Sequence, residues 1–168
     1  GWRIEIKKYP KLTTVGGIGN WHEADAEASF YTQEDIKEIV AYAQERNIMI
    51  VPEIDMPGHA SAASRAYPEL SGGGEGRWEG FTLHPTKEST YQFIDDVLSE
   101  IVELFPFPYI HIGGDEVHYG NQSWFTDPEI QQFIKDKKLA NEKELEHYFV
   151  RRVADIIASK GRKMIGWD

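Results

Sequence analysis

Asp115 and Glu116 are adjacent carboxylates that follow a short apolar run, Tyr109-Ile110-His111-Ile112, and a glycine pair, Gly113-Gly114. Two acids at the end of a strand are suited to proton transfer and charge stabilisation: one carboxyl can be held protonated to donate, while the other stays ionised to face a developing cation. Strand periodicity puts Ile110 and Ile112 on one face and Tyr109, His111, Gly113 and Asp115 on the other. Glu116 falls at or just past the strand end, where the backbone is free to turn it toward the same space. A solvated loop would carry such a pair equally well. The glycines favour a site, because residues without side chains beside a carboxylate let backbone or ligand come close.

A second group lies upstream. Glu53 and Asp55 alternate onto one face of the apolar run Ile48–Asp55, and His59 follows Asp55 by four residues in a Pro-Gly turn. An ionised carboxylate buried alone is very costly, so two inward acids need partners, and His59 and His111 are the candidates. Either histidine would serve equally as a structural contact. Tyr119 and Trp124 follow the acids, and Trp167 ends the last apolar run. These aromatics offer faces for stacking or for ordinary core packing.

The elements that must position these groups are legible as alternating helices and strands. Trp2–Ile6 alternates apolar and charged residues as a short exposed strand does, and Tyr9-Pro10 breaks it. Gly16–Ala28 has no period and reads as a long loop; it lacks the Lys-Ser/Thr of a phosphate cradle. Thr32 and Asp35 form a capping box for a helix reaching about Arg46, with Ile36, Ile39, Val40 and Ala43 as its stripe. The strand Ile48–Asp55 follows, with Ile48, Ile50, Pro52 and Ile54 facing helices and Met49, Val51, Glu53 and Asp55 facing inward. After an irregular loop through Ser71–Phe81, a helix from about Ser89 buries Phe93, Ile94, Val97, Leu98, Ile101 and Leu104, and ends before Pro106 and Pro108. The Tyr109 strand comes next. Asp127-Pro128 opens a short helix through Ile130, Phe133 and Ile134, and a longer helix runs from about Asn141 to Lys160, closing on Gly161. Lys163–Trp167 is the last strand. Strands separated by whole helices predict right-handed βαβ crossovers and a parallel sheet, an α/β fold. Asp55 with His59, Asp115 with Glu116, and Trp167 all fall at the C-terminal ends of strands, the face on which (β/α) barrels collect their active sites.

The chain has 168 residues, 40% of them apolar, enough for one sizeable core. Its formal charge of −10 argues against nucleic acid or an anionic membrane as partner, since both need clustered Lys or Arg. The basic run Lys135–Lys138 reads as a solvated helix end. There is no cysteine, which excludes a disulfide framework, a thiolate metal site and a cysteine nucleophile. No signal peptide or long apolar span occurs, which says nothing about secretion in a segment without its own N-terminus.

The run His111-Ile112-Gly113-Gly114-Asp115-Glu116 resembles the signature of the β-N-acetylhexosaminidases, retaining glycoside hydrolases whose acetamido substrate supplies its own nucleophile. The stretches Trp2–Pro10, Phe30-Tyr31-Thr32, Pro52–His59 and Ile165-Gly166-Trp167-Asp168 resemble the family's in the same order. The resemblance implies an eight-stranded (β/α) TIM barrel, which takes about 250 residues. Residues 1–168 would then be a single segment of the catalytic barrel domain, truncated at both ends, holding about three to four parallel strands with intervening helices. It implies Glu116 as general acid and then general base, Asp115 as the group that orients and polarises the acetamido group, and Trp167 as an aromatic wall against the acetamido methyl and the sugar ring. Asp55 and His59 match supporting positions, His111 and Glu53 inward contacts, and Tyr119 and Trp124 are substrate subsite candidates. Implied partners are N-acetylhexosamine-containing glycans or chito-oligosaccharides, with no cofactor and no metal, in a periplasmic, extracellular or lysosomal setting. The arginine that grips the sugar hydroxyls in the family precedes the segment, so the isolated segment is expected to have little or no activity. Open barrel edges would favour self-association.

Two other readings remain open on the sequence. Glu53, Asp55, His59, His111 and Asp115 could ligate zinc or manganese in a metal-dependent barrel hydrolase, although there is no HExxH and no histidine pair at ligand spacing. Trp78, Trp124 and Trp167 could be the platforms of a non-catalytic sugar-binding module.

Overall fold

The computed structural model describes residues 1–19 and 22–167. The loop expected over Gly16–Ala28 and the motif Ile165–Asp168 therefore each include residues outside those described, namely Asn20, Trp21 and Asp168.

The four longer α-helices form where apolar period and caps predict them, and two short ones are added to them among the described residues. Helix α1 (Lys11–Thr14) is a single turn that the sequence did not announce. Helix α2 (Gln33–Gln44) opens on the expected capping box: the Asp35 N–H donates to Thr32 Oγ1 at 3.1 Å, and the Thr32 N–H donates to Asp35 Oδ2 at 2.8 Å. It buries Ile36, Val40 and Ala43, while Ile39, at the edge of the stripe, is exposed. Helix α3 (Ser61–Ala66) is short, has no side-chain cap and was also unannounced. Helix α4 (Glu88–Leu104) buries every residue of its predicted stripe and stops before Pro106. Strand β1 (Tyr109–His111) leads to the acids. Helix α5 (Pro128–Asp136) is capped by Asp127, whose side chain accepts from the N–H groups of Glu129 and Ile130. In helix α6 (Glu142–Ser159) the cap is Asn141 and the innermost residues are Leu145, Phe149, Val153 and Ile157. Strand β2 (Lys163–Ile165) ends the described order.

Strands β1 and β2 pair in parallel, with Tyr109 opposite Lys163 and His111 opposite Ile165. The run Ile48–Asp55 does not form the continuous strand expected of it. It pairs only through Glu53, which sits opposite His111 in parallel, with Ile54 N–H donating to His111 O at 2.9 Å and Met56 N–H to Ile112 O at 2.8 Å. Pro52 contributes a carbonyl to this ladder but has no N–H to give. Trp2–Ile6 is likewise reduced to one parallel bridge, Ile4 to Tyr31. Two strands thus form among the described residues where three to four were expected. The alternation is kept only from Met49 to Ile54: Pro52 is buried and Ile50 and Ile54 are partly so, whereas Met49, Val51 and Glu53 are exposed. Ile48, expected to face the helices, is exposed because no strand among the described residues pairs with that end of the run, and Asp55 is partly buried.

The main core joins α2, α4 and α6 to the outward faces of the strands, with Ile110 and Ile112 packed beside Ile94, Leu98, Ile101 and Phe149. A smaller core gathers Val117, Trp124, Ile130, Ile134 and Leu145. Strand ends and the loops after them are thereby held on a rigid helical backing. Among the described residues, no helix is long and apolar enough to cross a membrane.

Candidate active site

The segment after β1 leaves extended geometry at once. Gly113, Gly114 and Glu116 all have positive φ, at 65°, 91° and 55°. Gly113 is required there on two counts: besides its backbone conformation, a Cβ would lie 2.0 Å from Asp55 Oδ1. Asp55, carried by the neighbouring segment, occupies that space and accepts the Gly114 N–H at 3.1 Å. The two acid groups read separately in the sequence are thus one packed unit.

His59 links them. It has φ of 53°, packs against Phe81 with ring centroids 4.8 Å apart, and points Nε2 at both acids: 3.2 Å from Glu116 Oε2 and 3.6 Å from Asp115 Oδ2. Burial pushes the Asp55 carboxyl up to about 6; Asp115 and Glu53 add to the rise, and the Gly114 N–H and His59 oppose it. Asp115 divides its two oxygens. Oδ2 faces His59, while Oδ1 is buried and has no hydrogen-bond partner among the described residues. A buried carboxylate oxygen without a donor is costly and calls for one from a ligand. Glu116 is exposed, so these residues do not themselves supply the burial that a general acid draws on.

A second cluster lies beside the first. Glu53 Oε1 accepts the Trp167 indole N–H at 3.1 Å and stands 3.5 Å from His111 Nδ1. The His111 and Trp167 rings are 4.7 Å apart. His111 Nδ1 also accepts the Gly113 N–H at 3.0 Å, which places the proton of the neutral ring on Nε2. Trp167 is held at the strand ends by its own N–H, which donates to Gly113 O at 2.8 Å, and its ring is largely exposed. Its side chain meets His111 and Glu53 rather than the acids.

Of the expected site residues, Asp55, His59, Asp115 and Glu116 come together in one cluster, with His111 and Trp167 in the other. Tyr119 is exposed, its N–H donates to Glu116 O at 3.0 Å, and its ring stacks on Trp78 at 5.1 Å with the planes 6° apart. Trp124 is a correction: it is fully buried in the smaller core beside Ile130 and Leu145, so it has no face to offer a ligand. The sequence did not single out Gly113 as the seat of Asp55, Phe81 as the backing of His59, or the Glu53 bond to Trp167. The alternation that put Glu53 on the inward face was a signal for the last, and the glycine pair announced a close approach without naming the group that makes it.

A cavity of about 610 Å³ is lined by Glu53, Asp55, His59, Arg77, Trp78 and Phe81, among others. Asp115, Glu116 and Trp167 do not line it, so it adjoins the acids rather than holding them. Asp55, His59 and Asp115 each bring one donor atom within 4.8 Å of the others, a spacing that could admit a cation. Yet His59 Nε2 is also the atom that faces Glu116, and Glu53 and His111 are engaged with Trp167 and Gly113. One imidazole nitrogen set between two carboxylates accounts for this geometry, and the five-ligand set is not assembled.

The sequence profile described as glycosyl hydrolase family 20, catalytic domain, matches residues 1–168. A β-hexosaminidase of Porphyromonas gingivalis is 41% identical over 99% of the chain and 22% of its own length, and one of Vibrio furnissii is 37% identical over 100% of the chain and 30% of its own. Among solved structures, the β-N-acetylhexosaminidase of Bacteroides fragilis superposes with a TM-score of 0.86 at 42% identity, over 99% of this chain and 33% of that one. The chain therefore spans a third or less of the length of these relatives.

Proposed function

Since the chain belongs to glycosyl hydrolase family 20, we propose that the whole protein removes terminal N-acetyl-β-D-hexosamine residues from glycans or chito-oligosaccharides by substrate-assisted, retaining hydrolysis. The observation that carries this reading is Asp115: one oxygen is turned to His59 while the other is buried without a donor among the described residues. A substrate acetamido N–H is a donor of the right kind for that oxygen. With the amide so held, its carbonyl oxygen attacks the anomeric carbon as Glu116 protonates the glycosidic oxygen, and the bond to the leaving group breaks. The resulting oxazolinium ion is cationic and lies against the Asp115 carboxylate. Water then attacks the anomeric carbon, Glu116 takes its proton, and the ring reopens with retained configuration.

His59 touches both acids and orients them; Asp55 acts one step back, through the Gly114 N–H and the charge it shares with His59. Trp167 is the aromatic wall, and Tyr119 with Trp78 marks the edge toward the leaving group. The α/β segment is on this reading part of a (β/α)8 barrel, residues 1–168 forming one piece of a single catalytic domain. Exposed Glu116 and Trp167 are then sides of a pocket that the rest of the barrel closes, and residues 1–168 alone turn over little or no substrate.

Hydrolysis of an aryl N-acetyl-β-glucosaminide by the whole protein tests this. Glu116→Gln lowers kcat by about 10²–10⁴, the range for loss of general acid–base catalysis. Asp115→Asn lowers it for N-acetyl substrates. Undiminished turnover in Glu116→Gln overturns the mechanism. Turnover by residues 1–168 alone that Glu116→Gln abolishes overturns the inactivity of the isolated segment.

A further inference from the structure

We propose that Glu53 is a positioning residue: it fixes the indole of Trp167, and so sets how large an N-acyl group the site accepts. The proposal rests on the reading of Trp167 as the wall of an N-acetylhexosaminidase site.

Trp167 stands at the end of β2 with 61% of its surface exposed, so packing alone does little to choose its side-chain conformation. An indole has one hydrogen-bond donor, Nε1–H, and here it is taken by Glu53 Oε1 at 3.1 Å. The acceptor comes from the far side of the central strand. Glu53 is opposite His111, and His111 is opposite Ile165, so the Glu53 carboxylate and the Trp167 ring reach toward each other across β1. The His111 ring lies beneath them, 4.7 Å from the indole and 3.5 Å from the carboxylate oxygen. In the neutral ring His111 Nδ1 is an acceptor, occupied by the Gly113 N–H, and cannot donate to Glu53. The indole N–H is therefore the side-chain donor that Glu53 Oε1 has, and the carboxylate is the tether that selects one indole orientation over the others. An ionised acceptor makes the stronger kind of hydrogen bond.

A tethered wall measures its ligand; a loose one gives way. Glu53→Ala frees the ring, so the site loses discrimination against N-propionyl and N-butyryl substrates. Glu53→Gln keeps an amide oxygen that can accept the indole N–H and retains it.

The test compares kcat/KM for aryl β-glucosaminides carrying N-acetyl, N-propionyl and N-butyryl groups, using the whole protein. In Glu53→Ala the preference for N-acetyl falls about tenfold, the effect of one hydrogen bond to a charged acceptor, and Glu53→Gln restores it. Trp167→Phe keeps a ring but removes the N–H. It shows the same loss, and Glu53→Ala adds nothing to it, so the result does not depend on Glu53→Ala folding well. An unchanged acyl preference in folded Glu53→Ala or in Trp167→Phe overturns the proposal. Undiminished turnover in Glu116→Gln instead overturns the underlying mechanism, whatever Glu53 does.

Discussion

Gly113→Ala is the sharpest perturbation of the candidate site, because the structure separates its two costs. The first is backbone: at φ of 65°, alanine in the left-handed region costs about 1–2 kcal/mol. The second is contact. The new methyl would sit 2.0 Å from Asp55 Oδ1 and 2.2 Å from its Cγ, so the carboxylate must leave the Gly114 N–H it accepts at 3.1 Å. Losing a charge-assisted bond in a half-buried place adds about 1–3 kcal/mol. Gly161→Ala is the control, with φ of 71° and nothing within 4 Å of the added methyl, so it carries only the backbone cost. Urea unfolding followed by far-UV circular dichroism reads both. At a slope of about 2 kcal/mol per molar urea, Gly113→Ala shifts the midpoint down by about 0.5–1.5 M more than Gly161→Ala does. In an Asp55→Ala background the clash has no partner, and Gly113→Ala falls back to the control value. Equal costs for the two glycines, or a Gly113→Ala cost that survives removal of Asp55, would refute the packing of the two acid segments into one unit.

Asp55→Asn tests the charge in that unit. The folded-state carboxyl is raised from 3.8 to about 6, so the native state holds the proton more tightly than the unfolded chain does. The stability linked to it is fully present below pH 4 and is lost as pH rises through 6. Asparagine abolishes that slope and leaves the variant more stable by about 1–2 kcal/mol above pH 6, the partial exposure of Asp55 being allowed for; urea titrations at pH 4, 5, 6 and 7 show whether the two curves diverge. Thr32→Ala removes the hydroxyl that accepts the Asp35 N–H, leaving the Thr32 N–H on Asp35 Oδ2, and lowers the unfolding free energy by about 1 kcal/mol, read as a drop in thermal midpoint. Trp124→Ala empties the centre of the smaller core and costs about 3–5 kcal/mol. Trp124→Phe removes an indole N–H that has no partner among the described residues and leaves KM unchanged, whereas a raised KM would return Trp124 to the substrate site.

The sequence announced helices better than strands for a physical reason. In α4 the whole apolar stripe is buried, in α6 Leu145, Phe149, Val153 and Ile157 are buried while Tyr148 and Ile156 are partly so, and the Thr32 and Asp127 caps are local chemistry that needs no distant partner. A strand depends on its neighbours. Ile48–Asp55 has the right alternation, yet it finds ladder partners only from Pro52 onward, so most of the run stays unpaired. The single-turn α1 and the uncapped α3 carry no periodic signal long enough to read. Trp124 reads as a subsite residue in the sequence because it follows the acids in an irregular stretch. Its place is decided by α5, where Ile130 packs over it, and by Leu145 of α6, contacts that spacing along the chain does not reveal.

At the acids the same limit shows in finer form. Adjacent residues in a strand face opposite ways, so extended geometry would part Asp115 from Glu116. Both instead come within reach of one nitrogen, His59 Nε2, because the chain bends through left-handed backbone at Gly113, Gly114 and Glu116. Glycine takes that conformation without penalty, but Glu116 and His59 do not, and strain of this kind persists only where surroundings hold it. At Gly113 and Gly114 the bend is tied to Asp55, which is fitted into the space that Gly113 leaves and bonded to the next N–H. The glycines were readable as permission for close approach; the group that approaches was not, since it comes from a segment almost sixty residues earlier. The motif thus works as a pair of interlocked turns, and a substitution that unseats Asp55 should separate Asp115 from Glu116 without touching either.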